Sequence, residues 1–454
     1  MITGTTAGTV TTLGMSTGIT LGTTTAKVAT STMANQPTPN RRTLMGATVV
    51  GAVGVAGAVG FGTGRATAPA EPQRPRPDAR GLNGEETVPF YGEHQAGVET
   101  PPQAHGMFIA LTLRENVDRD GVRRLLTLLS DDAAALTQGK PPLGDTEPEL
   151  TERPARLTVT FGFGKRLVER VRSAPDWLKP LPRFDFDRFQ PGRTDGDLLL
   201  QVCSDDPATV AHTVRMLIKD ARAFTDVAWT REGFRRAYGS DPQGTTVRNP
   251  FGQVDGTANP GPGSEDFARL VWGTTTGATP AVFSTRGEPP RDLADHYPAW
   301  LKGGTTLVIR DIEMNMSTWD QADRPAREFA VGRDMARGAP LTGTDEHDIP
   351  DLEAKNELGL SVISPVSHVA RSRNTQDPAE QIYRRVYSYQ EGLGATGLIF
   401  ASYQANIDRQ FLPIQQRLAQ ADLLNEWTTP VGSTVWLIPP GASEGGFVGQ
   451  TLFA

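Results

Sequence analysis

One cysteine in 454 residues, Cys203, excludes an intramolecular disulfide and any zinc or iron–sulfur site built from clustered thiolates. No GxxxxGK[ST] phosphate loop occurs, so P-loop nucleotide chemistry is excluded as well. The first 70 residues contain no Asp or Glu, and their only charges are Lys27, Arg41, Arg42 and Arg65. Long apolar runs are scarce too. The one from Met45 to Phe61 is broken by glycine and lies near the lower limit of the ~17–25 residues needed to span a bilayer.

An acid-free start with a basic pair ahead of a mildly apolar run has the composition of a signal peptide. Arg41-Arg42, in Asn40-Arg41-Arg42-Thr43-Leu44-Met45, is similar to a twin-arginine signal, and Ala66-Thr67-Ala68 with Ala70 offers small residues for cleavage. Residues 1–70 are therefore expected to be a twin-arginine signal peptide, with Met33 a candidate true start and a retained membrane anchor the lesser alternative. That route exports proteins that are already folded. A Pro-, Arg- and Glu-rich linker follows over residues 71–87. Removing four positive and no negative charges moves the net charge from −7 to −11, and a strongly acidic protein is a poor partner for nucleic acid or anionic membranes.

From Val88 onward strand-like and helix-like stretches alternate. Met107–Leu113 alternates as a strand, and Asp118–Leu136 carries Val122, Leu125, Leu126 and Leu129 at helical spacing. The pair recurs at Leu157–Phe163 with Lys165–Arg172, and at Asp197–Cys203 with a helix opened by Asp206 as N-cap and Pro207 at N1. That helix should bury Val210, Val214, Leu217 and Ile218 and leave His212 partly exposed. A second series starts at Thr305–Asn315 and closes with Leu398–Gln404 and a helix over Ile407–Leu418. The class is α+β in two halves, residues 88–275 and 276–454.

Three separated positions carry the chemistry. Asp255 lies between Gly252 and Gly256 in Asn249-Pro-Phe-Gly-Gln-Val-Asp-Gly-Thr-Ala-Asn-Pro260. His368 is one of only six histidines, with His94, His105, His212, His296 and His347, and Arg384 follows it by sixteen residues in Tyr383-Arg384-Arg385-Val386-Tyr387-Ser388-Tyr389. Each alone has a plainer reading: Asp-Gly is a frequent turn, a lone histidine is more often structural than a ligand, and paired arginines are usually surface charges. Side chains on a strand alternate, so Arg384 and Arg385 must face opposite ways.

Order and spacing of the three together resemble the dye-decolorising haem peroxidases, and the resemblance runs from Val88 to Phe453. It implies two ferredoxin-like modules with antiparallel sheets, one haem b per chain held in the C-terminal half, and His368 as the axial iron ligand. Asp255 would be the distal acid–base group and Arg384 the distal cation. Gly256, Thr257 and Ala258 would lie along the haem, while Arg373 and Asn374 would reach a propionate. Asp408 is a candidate carboxylate partner for His368, or else an acid in a helix's first turn. Val331–Leu341 resembles a further family stretch but departs from it at Asp334 and Ala336, and no site residue is assigned there.

The implied reaction reduces hydrogen peroxide and oxidises phenolic or dye-like aromatic donors through a ferryl intermediate. Large donors would need a surface tyrosine or tryptophan, for which Tyr387, Tyr389, Trp272, Trp319 and Trp436 are available. Val386, the signal and the long loops suggest the exported branch, with the twin-arginine machinery as partner and a periplasmic, extracellular or envelope-associated destination. With only Ala454 after Phe453, no tail for a nanocompartment is expected; an oligomer is open. Two alternatives stand beside the peroxidase: a haem-handling, deferrochelatase-like protein using the same haem site, and a haemless ferredoxin-like binding protein.

Overall fold

Val-, Leu-, Ile- and Phe-rich stretches bounded by glycine and proline form nine strands among the described residues, in a computed structural model that describes residues 82–242, 244–274, 293–392 and 394–454. They are β1 (His105–Leu113), β2 (Thr158–Phe163), β3 (Leu198–Ser204), β4 (Thr225–Phe234), β5 (Thr305–Met314), β6 (Tyr383–Arg384), β7 (Tyr387–Glu391), β8 (Ala395–Gln404) and β9 (Thr428–Ile438). The signal, most of the linker and the 275/276 boundary lie outside the described residues.

Every named pairing is antiparallel. The first four strands take the order β4-β1-β3-β2, and the rest repeat it as β9-β5-β8 with β7 and β6 on the far side of β8. Each half therefore has the 4-1-3-2 order of the ferredoxin-like fold. Single pairs, Phe163↔Leu437 and Phe234↔Ser388, join the halves at both edges, so the hydrogen-bonded order closes on itself.

Two strands have little apolar periodicity. β4 is half exposed, with only Thr225 and Gly233 buried. β9 contains Pro430 and Gly432, which argue against a strand. The ladder accommodates them by a register shift opposite Asp311/Ile312, where Asp311 pairs Gly432 and Ile312 pairs Pro430, a bulge that tolerates a missing N–H.

Helix starts follow their caps. Asp118 accepts from Gly121 N ahead of the helix Arg119–Leu136, and Asp206 accepts from Thr209 N ahead of Pro207–Ala221. Both helices pack their apolar stripes on the outer face of the first sheet. The second stripe sits slightly off the expected line: Val210, Met216 and Leu217 are buried, whereas Val214 and Ile218 are half-buried. His212, expected to be partly exposed, is buried and bonded through Nε2 to Asp145 Oδ2 at 2.8 Å, a partner 67 residues away that helical periodicity cannot reveal.

The inner faces of the two sheets meet over Phe108, Leu199, Tyr387, Tyr403 and Trp436. Arg384 pairs with Ser402, so it stands on the outer face of the second sheet, with Val308, Arg310 and Phe400 by register. Arg385 points inward and is fully buried, donating to Thr100 O and Gln103 Oε1. The alternation holds, and neither is a plain surface arginine.

Candidate active site

Pro365 lies in a turn, and Ser367 caps a short helix, His368–Ser372, by accepting from Ala370 N. His368 is thereby fixed at a helix start, with its Nδ1 2.7 Å from Asp422 Oδ2. The other oxygen of Asp422 accepts from Leu424 N at 3.0 Å, and its side chain is 3% exposed. A carboxylate so held fixes the proton on Nδ1, which leaves Nε2 as the nitrogen able to take a ligand once it gives up its own proton. About a third of the His368 side chain (32%) is open. Burial pulls the imidazolium down, but Asp422 opposes it more strongly and holds the group above the usual histidine range. Arg384 and Asp255 also act on it, in opposite senses, so both charges lie near His368.

Asp408 is not the partner of His368. It is exposed in the first turn of Ile407–Phe411, the plainer of its two readings, and Asp422 occupies the position instead. Nothing in the local sequence marks Asp422, since an acid before a helical turn reads as a cap, which it also is.

Arg384 Nη1 donates to Asp255 Oδ1 at 2.9 Å; the side chains are 21% and 12% exposed. Asp255 Oδ2 is freer, with only Asn249 Nδ2 at 3.5 Å. Gly252 and Gly256 have φ of +79° and +129°, values that side-chain-bearing residues rarely adopt. The loop needs glycine for its own path; a Cβ on Gly252 would come no nearer than 3.8 Å to Met335.

Side chains then pin this loop. Asn259 Nδ2 donates to Arg384 O at 2.7 Å while Asn259 Oδ1 accepts from Arg384 N at 3.1 Å, supplying a peptide-like partner to an edge strand. Arg248 donates to the carbonyls of Gly252, Met335 and Ala336 at 2.6–2.8 Å. Thr257 Oγ1 donates to Glu346 Oε1 at 2.8 Å, and Ala258 is exposed.

Of the two proposed propionate contacts, Asn374 is committed locally: Nδ2 donates to Glu380, and Oδ1 accepts from Gln376 N and Asp377 N. Arg373 is exposed. Arg333, unassigned from sequence, is half-buried and donates to Gly338 O and Glu346 O. Burial lowers its pKa, Glu346 raises it, and Arg373 and Arg384 lower it further, which gathers three cations on this side. The adjoining wall is apolar: Phe251, Met314, Val331, Val386, Leu398 and Leu424, with Met335 and Phe400 half-buried against them.

Comparison with known proteins matches residues 95–235 to the family model "Dyp-type peroxidase, N-terminal" and residues 246–443 to "Dyp-type peroxidase, C-terminal". A Deferrochelatase of Escherichia coli (strain K12) is 32% identical over 427 residues, covering 89% of this chain and 95% of that protein. Among solved structures, a DyP-type peroxidase from Cellulomonas bogoriensis is 46% identical, with TM-score 0.74, over 82% of this chain and 99% of its own. Ferric DtpA from Streptomyces lividans is 34% identical, with TM-score 0.73, over 83% and 100%.

Proposed function

This chain belongs to the Dyp-type peroxidase family, whose members are haem peroxidases, and from that premise we propose that it binds one haem b between His368 and the Asp255–Arg384 pair and oxidises phenolic or dye-like aromatic donors with hydrogen peroxide. The observation that carries this reading is the orientation of His368, whose Nδ1 is taken by Asp422 while Nε2 is left free. His368 would hold the haem iron through Nε2. The apolar wall suits the flat face of haem, and Arg333 with Arg373 suits its carboxylates better than Asn374 does.

Bound haem supplies an iron that accepts an oxygen of peroxide and stores two oxidising equivalents. The chain's own residues handle the proton and the charge. Asp255 Oδ2 takes the proton from the near oxygen of peroxide and returns it to the far one, which leaves as water. Arg384 keeps Asp255 Oδ1 engaged and stabilises negative charge on the departing oxygen. Asp422 makes the His368 ring more basic and fixes its tautomer.

Export by the twin-arginine route to the periplasm, envelope or exterior is part of the same proposal, supported by Arg41-Arg42 and the acid-free start. Among the described residues no helix is long and apolar enough to cross a membrane. The second reading, haem handling with iron release, is favoured by the similarity to the Deferrochelatase. To decide, the protein is loaded with haem and one equivalent of peroxide is added. The peroxidase predicts a Soret shift that a reducing dye reverses and that His368→Ala abolishes. Haem bound without that response supports iron release, and no Soret band removes His368 as the ligand.

A further inference from the structure

The aromatic residues put forward for contact with large donors, Tyr387, Tyr389, Trp272, Trp319 and Trp436, are all 3% exposed or less and cannot touch one. A different set is open to solvent. Trp177, His296, Tyr297 and Trp300 are each half-buried and line a single groove of about 630 Å³, within the size of small-molecule sites. The Trp177 ring lies 5.7 Å from His296 and 5.8 Å from Tyr297, and His296 lies 4.7 Å from Tyr297. These mutual contacts preset three of the rings, and the Arg172 guanidinium lies 5.7 Å over the fourth, Trp300. Burial depresses the pKa of His296, which favours a neutral fourth ring.

The rim is charge-balanced, with Lys179 and Arg409 against Asp176 and Asp408, so the groove selects for aromatic surface and not for an ion of either sign. It also shares a wall with the active site. Trp177 and Phe400 both pack on the cluster Val308, Ile407 and Phe411. Val308 pairs with Ser402, as Arg384 does, so Val308, Phe400 and Arg384 stand on one sheet face.

We propose that this groove is a binding site for a neutral, planar phenolic donor, separated from the Arg384 face by the wall of Val308, Phe400 and Phe411. The inference rests on the peroxidase reading for its chemistry and on the groove alone for binding. Two phenols bound in succession each give up one electron and the hydroxyl proton, the O–H bond breaking to leave a phenoxyl radical. One hydrogen peroxide takes both electrons and both protons, its O–O bond breaking to give two waters.

The test uses the haem-loaded full chain and 2,6-dimethoxyphenol, titrated calorimetrically without peroxide and then assayed with it. Trp300→Ala and His296→Ala should each weaken binding at least five-fold and raise the phenol KM at least five-fold, leaving the peroxide KM unchanged. If Trp300→Ala fails to fold, His296→Ala alone decides. Parent-like binding in the folded variants would overturn the proposal, as would phenol displaced by imidazole occupying the haem pocket. Binding lost in the variants, with no peroxide-driven turnover in the parent, would uphold the groove and remove the peroxidase reading.

Discussion

His368 presents Nε2 because Asp422 has claimed Nδ1, and if the proposed function holds, removing that claim weakens the hold on haem. Asp422→Ala is expected to weaken haem retention or peroxide turnover ~10–100-fold, measured by haem transfer to apomyoglobin and by stopped-flow reaction with peroxide; Asp422→Asn, which keeps an acceptor, should fall between. Asn259 acts one step further out, through the backbone of Arg384. Asn259→Ala should free the Arg384 amide, so hydrogen exchange over residues 383–386 accelerates even in haem-free protein. A misplacement approaching 1 Å would lower kcat/KM for peroxide by roughly ten- to a hundred-fold. Unchanged exchange would remove Asn259 as a positioning residue. Asp255, His368 and Arg384 are legible in the sequence only through their joint resemblance to the family's order and spacing. Asp422 and Asn259 are not legible there, since a cap aspartate and a turn asparagine are common and their partners lie 54 and 125 residues away.

At the scale of elements, the helices Arg119–Leu136 and Pro207–Ala221 are amphipathic, but their contact carries an acid pair that pattern alone hides. Asp132 is 6% exposed, and burial raises its pKa to about 7, aided by a hydrogen bond to Asp220 and by the charges of Asp220 and Asp131. A carboxyl whose folded pKa is raised holds a proton that the unfolded chain releases near pH 4. Its stabilising contribution is therefore complete below about pH 4 and lost as pH rises through about 7. Asp132→Asn should raise the melting temperature at pH 8.5 and leave it unchanged or lower at pH 4, checked by thermal unfolding at both. An equal change at the two pH values would mean that the carboxyl titrates normally. The same contrast of local and distant causes explains the strands. β1, β3, β5 and β8 are apolar enough to read directly, whereas β4 and β9 become strands by pairing with β1 and β5 across bulged registers.

At the scale of the molecule, the two sheets bury Phe108, Leu199, Tyr387, Tyr403 and Trp436 between them, so neither sheet should keep its structure alone. Trp436 is 1% exposed, and its Nε1 donates to Thr434 Oγ1 at 2.8 Å. Trp436→Ala is expected to cost ~3–5 kcal/mol and to lower one shared unfolding transition, followed by calorimetry of the haem-free protein. Two separate transitions, only one of them shifted, would show the halves to be independent. The active site depends on this closure. Asp255 lies beyond the end of β4, Arg384 on β6, and His368 in a helix packed by Leu412–Ala421, so three separate stretches of chain converge on one outer face.

The amino-acid sequence by itself pointed to the α+β class, the helix starts at Asp118 and Asp206 and the opposed arginines, and it singled out Asp255, His368 and Arg384 as site candidates. The caps and the opposed arginines follow from local rules of strand alternation and cap chemistry, whereas the class and the three candidates rest on the family resemblance of the chain. The tertiary structure decided what those rules cannot reach. It gave His368 its partner in Asp422 rather than Asp408, put Arg333 within the electrostatic reach of Arg373 and buried His212. It also made strands of β4 and β9 and exposed Trp177 and Trp300 while sealing Tyr387 and Trp436. Hydrogen bonds, burial and charge act over a few ångströms of space, and distance along the chain sets none of them until the sheets have closed.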